Sequence, residues 1–230
     1  RSDADARAVV VAPLPFPCRS LLLLSTMMAT TLVLVRHGQT DYNLEGRMQG
    51  QMDTPLNTRG REQAAALGAQ MKARCEARGI VFNAQVSSPL QRARDTGLAI
   101  RAAIGAPLES LELHELSGLM ERSGGACEDL LFSDPAFEAR RASSLEPMSA
   151  LTERAVTALR RAAELCPAGG GGWVLGTTHG GVLAALARAA EIDEGATVGR
   201  GAPPNCAVAT FELAADGRLR MLAPGFEELI

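Results

Sequence analysis

An α/β domain with a mostly parallel central sheet and helices on both faces is the fold that this sequence predicts. Short apolar, β-branched runs alternate with longer helix-forming runs along the chain, the order that builds a parallel sheet covered by its crossover helices. Two of the short runs lead into a His-Gly pair, residues 173–178 directly and residues 31–35 through Arg36. That strand end is where open α/β sheets bind ligands. The length of 230 residues, 47% hydrophobic and 21% charged, fits one large domain of ordinary globular composition.

The elements follow in order. Residues 31–35, Thr-Leu-Val-Leu-Val, read as a buried strand ending in Arg36-His37-Gly38. A loop rich in Gly, Asn and Asp runs to about Leu56. Asn57 is a good N-cap for a helix over 58–77, which Gly79 closes. Residues 81–86 are a second strand, and Ser87-Ser88-Pro89 opens a helix to about Ala103, with serine as cap and proline in the first turn. Residues 108–116 form a third strand, weakened by Glu109 and Glu112. Residues 117–146 are loop with short helical pieces, and 148–165 are helical by composition. The glycine run 169–172 is a flexible connection before the strand 173–178 and a helix over 180–190. Residues 206–213 and 218–222, joined at Asp216-Gly217, read as a closing hairpin that adds an antiparallel edge.

Composition excludes several classes of function. A net charge of −3 and a pI near 5.7 argue against a nucleic-acid partner, as do aromatics at only 3%. The five cysteines are scattered without a C-x-x-C pair, which favours a reducing compartment over a disulfide framework or a zinc site. No run approaches the roughly 18 apolar residues of a membrane span. Residues 1–27 differ from the rest, with prolines at 13, 15 and 17 and Met27-Met28 just before the first strand. They read as a leader, a disordered extension, or sequence upstream of a start at Met27 or Met28. The domain is then residues 28–230, expected in the cytoplasm unless residues 1–27 target an organelle.

The chain has three histidines, His37, His114 and His179. His37 and His179 share one setting, a strand end before glycine, where backbone can approach a ligand closely. Arg36 precedes one of them, and Arg92 lies in the first turn after the second strand, near the same sheet edge. Two guanidiniums and two imidazoles converging there suit a dianionic tetrahedral ligand.

These residues, with their neighbours, resemble the signature of the histidine phosphatase superfamily, the phosphoglycerate mutase-like proteins. The likeness runs through Arg36-His37-Gly38-Gln39-Thr40-Asp41-Tyr42-Asn43, then Gly46-Arg47-Met48-Gln49-Gly50, then Ser87-Ser88-Pro89-Leu90-Gln91-Arg92, then Thr178-His179-Gly180-Gly181, with Asn205 before the final strands. It implies a three-layer phosphoglycerate mutase-like sandwich. It implies that His37 is the nucleophile that becomes phosphohistidine, and that Arg36, Arg92, His179 and Asn43 hold the phosphoryl group. The family's proton-donating carboxylic acid falls by position on Glu115. The spacing after Glu115 is one residue shorter than the family's, so Glu121 and Glu112 stay open as alternatives. His114 is read as structural.

The expected activity is metal-independent hydrolysis of a small phosphorylated substrate, with no metal and no cofactor. Two alternatives stand: a cofactor-dependent phosphoglycerate mutase, and an inactive phospholigand-binding member. The chain lacks the Glu-Arg-His-Tyr-Gly segment and the longer insertion of the mutases, which favours hydrolysis. Substrate choice is assigned to residues 117–146. The sequence does not speak to oligomeric state.

Overall fold

The computed structural model describes residues 29–106, 108–167, 171–192 and 202–222. The extension 1–27 and glycines 169 and 170 lie outside them. In chain order the elements are β1 (Thr30–Arg36), α1 (Asp41–Glu45), α2 (Thr58–Arg78), β2 (Phe82–Ser87), α3 (Gln91–Ile104), β3 (Leu113–Glu115), α4 (Pro135–Ser144), α5 (Met148–Glu164), β4 (Trp173–Thr178), α6 (Gly180–Ala189), β5 (Glu191–Ile192), β6 (Val208–Leu213) and β7 (Leu219–Met221). The strands form one sheet in the order β3-β2-β4-β1-β6-β7-β5. The first four named in that order run parallel, and β6 is antiparallel to β1.

Side chains alternate across a strand, and β1 shows what this does with a continuous apolar run. Leu32 and Leu34 face one core with Leu151, Leu159, Val182 and Leu186 of α5 and α6. Val33 and Val35 face the other with Met71 and Ile100 of α2 and α3. All four β1 side chains are fully buried, each contributing about 1.5–3 kcal/mol by leaving water. The result is the expected three layers.

The hairpin forms as read, with β6 and β7 antiparallel and Gly217 taking a left-handed φ of 84° in the turn. Other expectations shift. The third strand shrinks to β3, because a 3-10 turn takes Leu108–Ser110. α3 begins at Gln91 with Leu90 as its uncapped N-terminus, not at the serines. Pro89 is the reason: it drives the residue before it out of helical geometry, and the Ser88 hydroxyl accepts only from the Leu90 amide, at 3.3 Å, ahead of the first helical residue. Within the first loop lies α1, where Thr40 and Asn43 close a capping box. α4 is a ten-residue helix in the expected loop region, started by Asp134 capping and Pro135 in its first turn.

Candidate active site

The parallel register of β1 and β4 pairs Arg36 with Thr178. Both histidines are therefore the next residue beyond the sheet, side by side, and the His37 amide donates to the Thr178 carbonyl at 2.9 Å. Their ring centroids are 5.2 Å apart. The following glycine is a steric requirement: a Cβ on Gly38 would lie 2.4 Å from the Gly60 carbonyl oxygen, where the loop passes against α2.

His37 donates from Nδ1 to the Gly38 carbonyl at 2.7 Å. That leaves Nε2 unprotonated, the tautomer a nucleophile needs. Its pKa is pushed well below the ordinary imidazole value, by burial first and then by Arg92 and Arg36. His179 is likewise pushed well down by burial, then by Arg92. Its Nε2 lies 2.8 Å from the Ser88 hydroxyl. With the Ser88 hydroxyl donating to Nε2, the remaining Nδ1–H is buried without a partner. Sequence reasoning missed this role of Ser88, having spent the serine on a helix cap.

Arg92 is wholly buried, and its terminal nitrogens donate to the carbonyls of Met52 at 2.7 Å and Gly50 at 2.8 Å. Burial lowers its pKa to about 10, so it stays a cation at neutral pH. Arg36 is steadied by the Pro203 carbonyl. Asn43 presents its Oδ1 to Thr40 and to Asn205, whose Nδ2 also donates to the His37 carbonyl at 3.0 Å. Among the described residues, five buried side-chain polar atoms lack a hydrogen-bond partner, and three are Arg36 Nε, Arg92 Nε and His179 Nδ1. Buried groups are normally satisfied. The three orphaned nitrogens are donors free to meet an anion's oxygens.

Arg36, His37, Asn43 and Arg92 line a cavity of about 230 Å³ whose one carboxylate, among the described residues, is Glu121. Glu121 accepts from the Gly181 amide at 3.1 Å and the Arg122 amide at 2.8 Å. Glu115 is not in this cavity. It ends the edge strand β3, with its side chain 43% exposed and 3.5 Å from Arg94, and lines a separate cavity of about 650 Å³ beside Glu146 and Arg154. The chain reaches the histidines only after the next turn, where the Leu119 carbonyl accepts from Thr178 Oγ1, so Glu121 arrives at the site and Glu115 does not. Glu112 is 80% exposed and His114 lies 4.0 Å from it, both away from the cavity. Glu146 and Arg154 form a two-contact ion pair, and Arg154 also holds the carbonyls of Gly118, Met120 and Glu121. Among the described residues no group of three metal-ligating side chains converges.

Residues 32–222 match the histidine phosphatase superfamily, branch 1. The chain belongs to this superfamily. Over 171 residues it is 34% identical to a metal-independent phosphoserine phosphatase of Arabidopsis thaliana, covering 68% of this chain and 67% of that one. It is 46% identical over 82 residues to a glucosyl-3-phosphoglycerate phosphatase of Mycolicibacterium vanbaalenii, covering 36% of this chain and only 34% of that protein's length. A solved mycobacterial glucosyl-3-phosphoglycerate phosphatase in complex with VO3 superposes with a TM-score of 0.64 at 25% identity, covering 86% of this chain and 99% of that one. A phosphoglycerate mutase of Bacillus anthracis, 23% identical, shares the fold with a TM-score of 0.68 over 85% of this chain and 92% of that one. Within the superfamily the fold is thus phosphoglycerate mutase-like, as expected.

Proposed function

We propose that this phosphatase hydrolyses small phosphomonoesters in two steps through a phosphohistidine on His37. The observation that carries the proposal is the cluster of unpartnered Arg36, Arg92 and His179 nitrogens around the free Nε2 of His37. Phosphoryl transfer needs in-line positioning and charge stabilisation at the equatorial oxygens, and these nitrogens supply both. In the first step the Nε2 lone pair attacks phosphorus and the ester P–O bond breaks. The departing oxygen takes a proton from Glu121 in its acid form. In the second step water attacks phosphorus, gives a proton to the Glu121 carboxylate, and the P–N bond breaks to release phosphate and neutral His37. Asn43 adds a contact to the phosphoryl group from its amide nitrogen. The guanidiniums take the charge that a metal would otherwise offset, so no metal or cofactor enters the scheme.

The acidic charge balance argues against a nucleic-acid partner, and the scattered cysteines, without a C-x-x-C pair, favour a reducing compartment such as the cytoplasm for the domain read as residues 28–230. Among the described residues no helix is long and apolar enough to cross a membrane.

The test is a rapid quench. Wild type, quenched during turnover of p-nitrophenyl phosphate, should carry an acid-labile, alkali-stable phosphate, and turnover should persist in chelator. His37→Ala should form no phosphoenzyme and lose turnover while keeping its circular dichroism. Normal turnover by His37→Ala would overturn the mechanism. Transfer of the phosphate to a second hydroxyl rather than water, with a bisphosphate primer, would make the protein a mutase.

A further inference from the structure

Arg92 enters the phosphoryl site with both terminal nitrogens engaged, one on the Gly50 carbonyl and one on the Met52 carbonyl. Those carbonyls belong to a tight turn, closed by the Met52 amide donating to the Gln49 carbonyl at 3.0 Å. Gly50 takes a left-handed φ of 51° at the second position of this turn. The turn's own hydrogen bond uses neither end of its central peptide, the Gly50 carbonyl and the Gln51 amide. A trans peptide is planar and points these two groups in opposite directions. Arg92 donates to the carbonyl at 2.8 Å, and Glu128 Oε1 accepts from the Gln51 amide at 2.9 Å. One peptide unit thus stands between a carboxylate and the buried guanidinium, held from both sides.

Glu128 belongs to the segment 117–146, and its Oε1 also accepts from the Gly124 amide at 2.9 Å. A single carboxylate oxygen therefore joins that segment to the turn. The fit is close: a Cβ on Gly50 would lie 2.1 Å from this oxygen, and one on Gly124 would lie 2.7 Å from the Glu128 Cγ. Backbone continues the join, with the Met48 amide donating to the Leu130 carbonyl and the Asp129 amide to the Met48 carbonyl, each at 2.9 Å. Glu128 does not line the cavity, so it meets the phosphoryl site only through the turn. It acts by placement more than by charge, since burial, Glu121, Asp53 and Arg36 all weigh more on the Arg92 pKa than Glu128 does.

We infer that Glu128 is a positioning residue for Arg92: it fixes the peptide against which the guanidinium is set. Through it the segment 117–146 serves the phosphoryl group that every substrate shares, and not only the part that varies. Without the carboxylate the central peptide has no side chain on its amide side, and the Gly50 carbonyl no longer sets where Arg92 points. This rests on the phosphatase reading above.

The experiment measures vanadate binding by calorimetry and kcat/KM on p-nitrophenyl phosphate and alkyl phosphates, in wild type and three variants. Glu128→Ala should weaken vanadate binding by about 10- to 100-fold, the range of a hydrogen bond to a charged group. It should lower kcat/KM by a similar factor on every ester, because the phosphoryl group is common to all. Glu128→Gln keeps an oxygen at the same reach without the charge, and should recover most of the loss. Glu128→Asp keeps the charge but falls one methylene short, and should fail as Glu128→Ala does. A merely structural role would move Tm in these variants without this order in vanadate affinity. If Glu128→Ala does not fold, the Gln and Asp variants still give the comparison. Unchanged vanadate affinity in both Glu128→Ala and Glu128→Asp, or Glu128→Gln failing as badly as Glu128→Asp, would overturn the inference. A loss confined to alkyl phosphates would place Glu128 with the acid and overturn it too. Calorimetry needs no turnover, so a wild type that binds vanadate but hydrolyses no ester refutes the phosphatase reading alone. A wild type that binds no vanadate overturns both.

Discussion

On the acid of the proposed scheme, the cavity and the sequence spacing point to different glutamates. Glu121 lines the cavity, and Glu115 faces solvent and Arg94. A sugar or serine alkoxide leaves badly without a proton, whereas a nitrophenolate leaves unaided. Glu121→Gln should therefore lose about 10²–10⁴-fold on alkyl phosphates and much less on p-nitrophenyl phosphate. Glu115→Gln should lose little on either. Steady-state kcat/KM on both substrates checks this, and the selective loss appearing in Glu115→Gln would return the role to that residue. His37, His179, Arg36 and Arg92 were legible in the sequence because each follows a strand end or opens the helix after one, and the sheet dictates where they meet. Glu121 was not, because its place depends on how residues 116–120 turn, and no periodic pattern encodes that turn. Ser88 was legible as a polar residue and misassigned, since a serine before proline looks like a cap whether or not a histidine claims it.

At the scale of elements, α5 acts on the site from a distance. Arg154, on its first two turns, binds three consecutive-loop carbonyls, those of Gly118, Met120 and Glu121, as well as the Glu146 carboxylate. It ties the segment that carries Glu121 and Arg122 to the helical layer. Arg154→Met keeps the volume but removes every donor. It should cost about 3 kcal/mol, the low end for a broken buried pair, because the two side chains keep 23% and 16% of their exposure. It should also lower kcat on alkyl phosphates more than on p-nitrophenyl phosphate, by freeing the acid. Urea denaturation and the two-substrate comparison measure the two effects, and a stability loss without the substrate selectivity would remove the positioning role. The sequence showed β1, β2, β4 and the β6–β7 hairpin as short apolar runs, and α2 by its Asn57 cap and Gly79 stop; it overextended β3 and gave no sign of the two-residue, exposed β5. It hid α4 inside a stretch with no buried residue on its helix, where apolar periodicity has nothing to report.

The whole molecule feels the two buried imidazoles as a pH dependence. The unfolded chain protonates each histidine near its ordinary pKa of about 6.5, and the folded chain only well below that. Between those limits the unfolded state binds more protons, so stability rises with pH and is lost as pH falls from about 6.5. Glu146, held low by Arg154, acts in a separate and more acidic window. The Tm should fall between pH 7.5 and 5.5, and His179→Gln should flatten that slope. A Tm independent of pH over this range would contradict the buried, neutral histidines. The three layers were legible at this scale from the alternation of strands and helices. The strand order was not, because pairing of β1 with the late strand β6 depends on which long-range register buries most, and local sequence holds no record of it.

The pairing of β1 has a consequence for how the chain is made. The strand that leads into His37 is translated before both of its neighbours: the parallel one follows about 140 residues later and the antiparallel one about 180 residues later. At about 5–20 residues per second, the run Leu32–Val35 waits roughly 10–30 s at the ribosome for its first backbone partner. Such distant contacts also make for slow folding. Through that interval His37 lacks His179 beside it, so the proposed phosphoryl transfer can begin only once β4 has emerged.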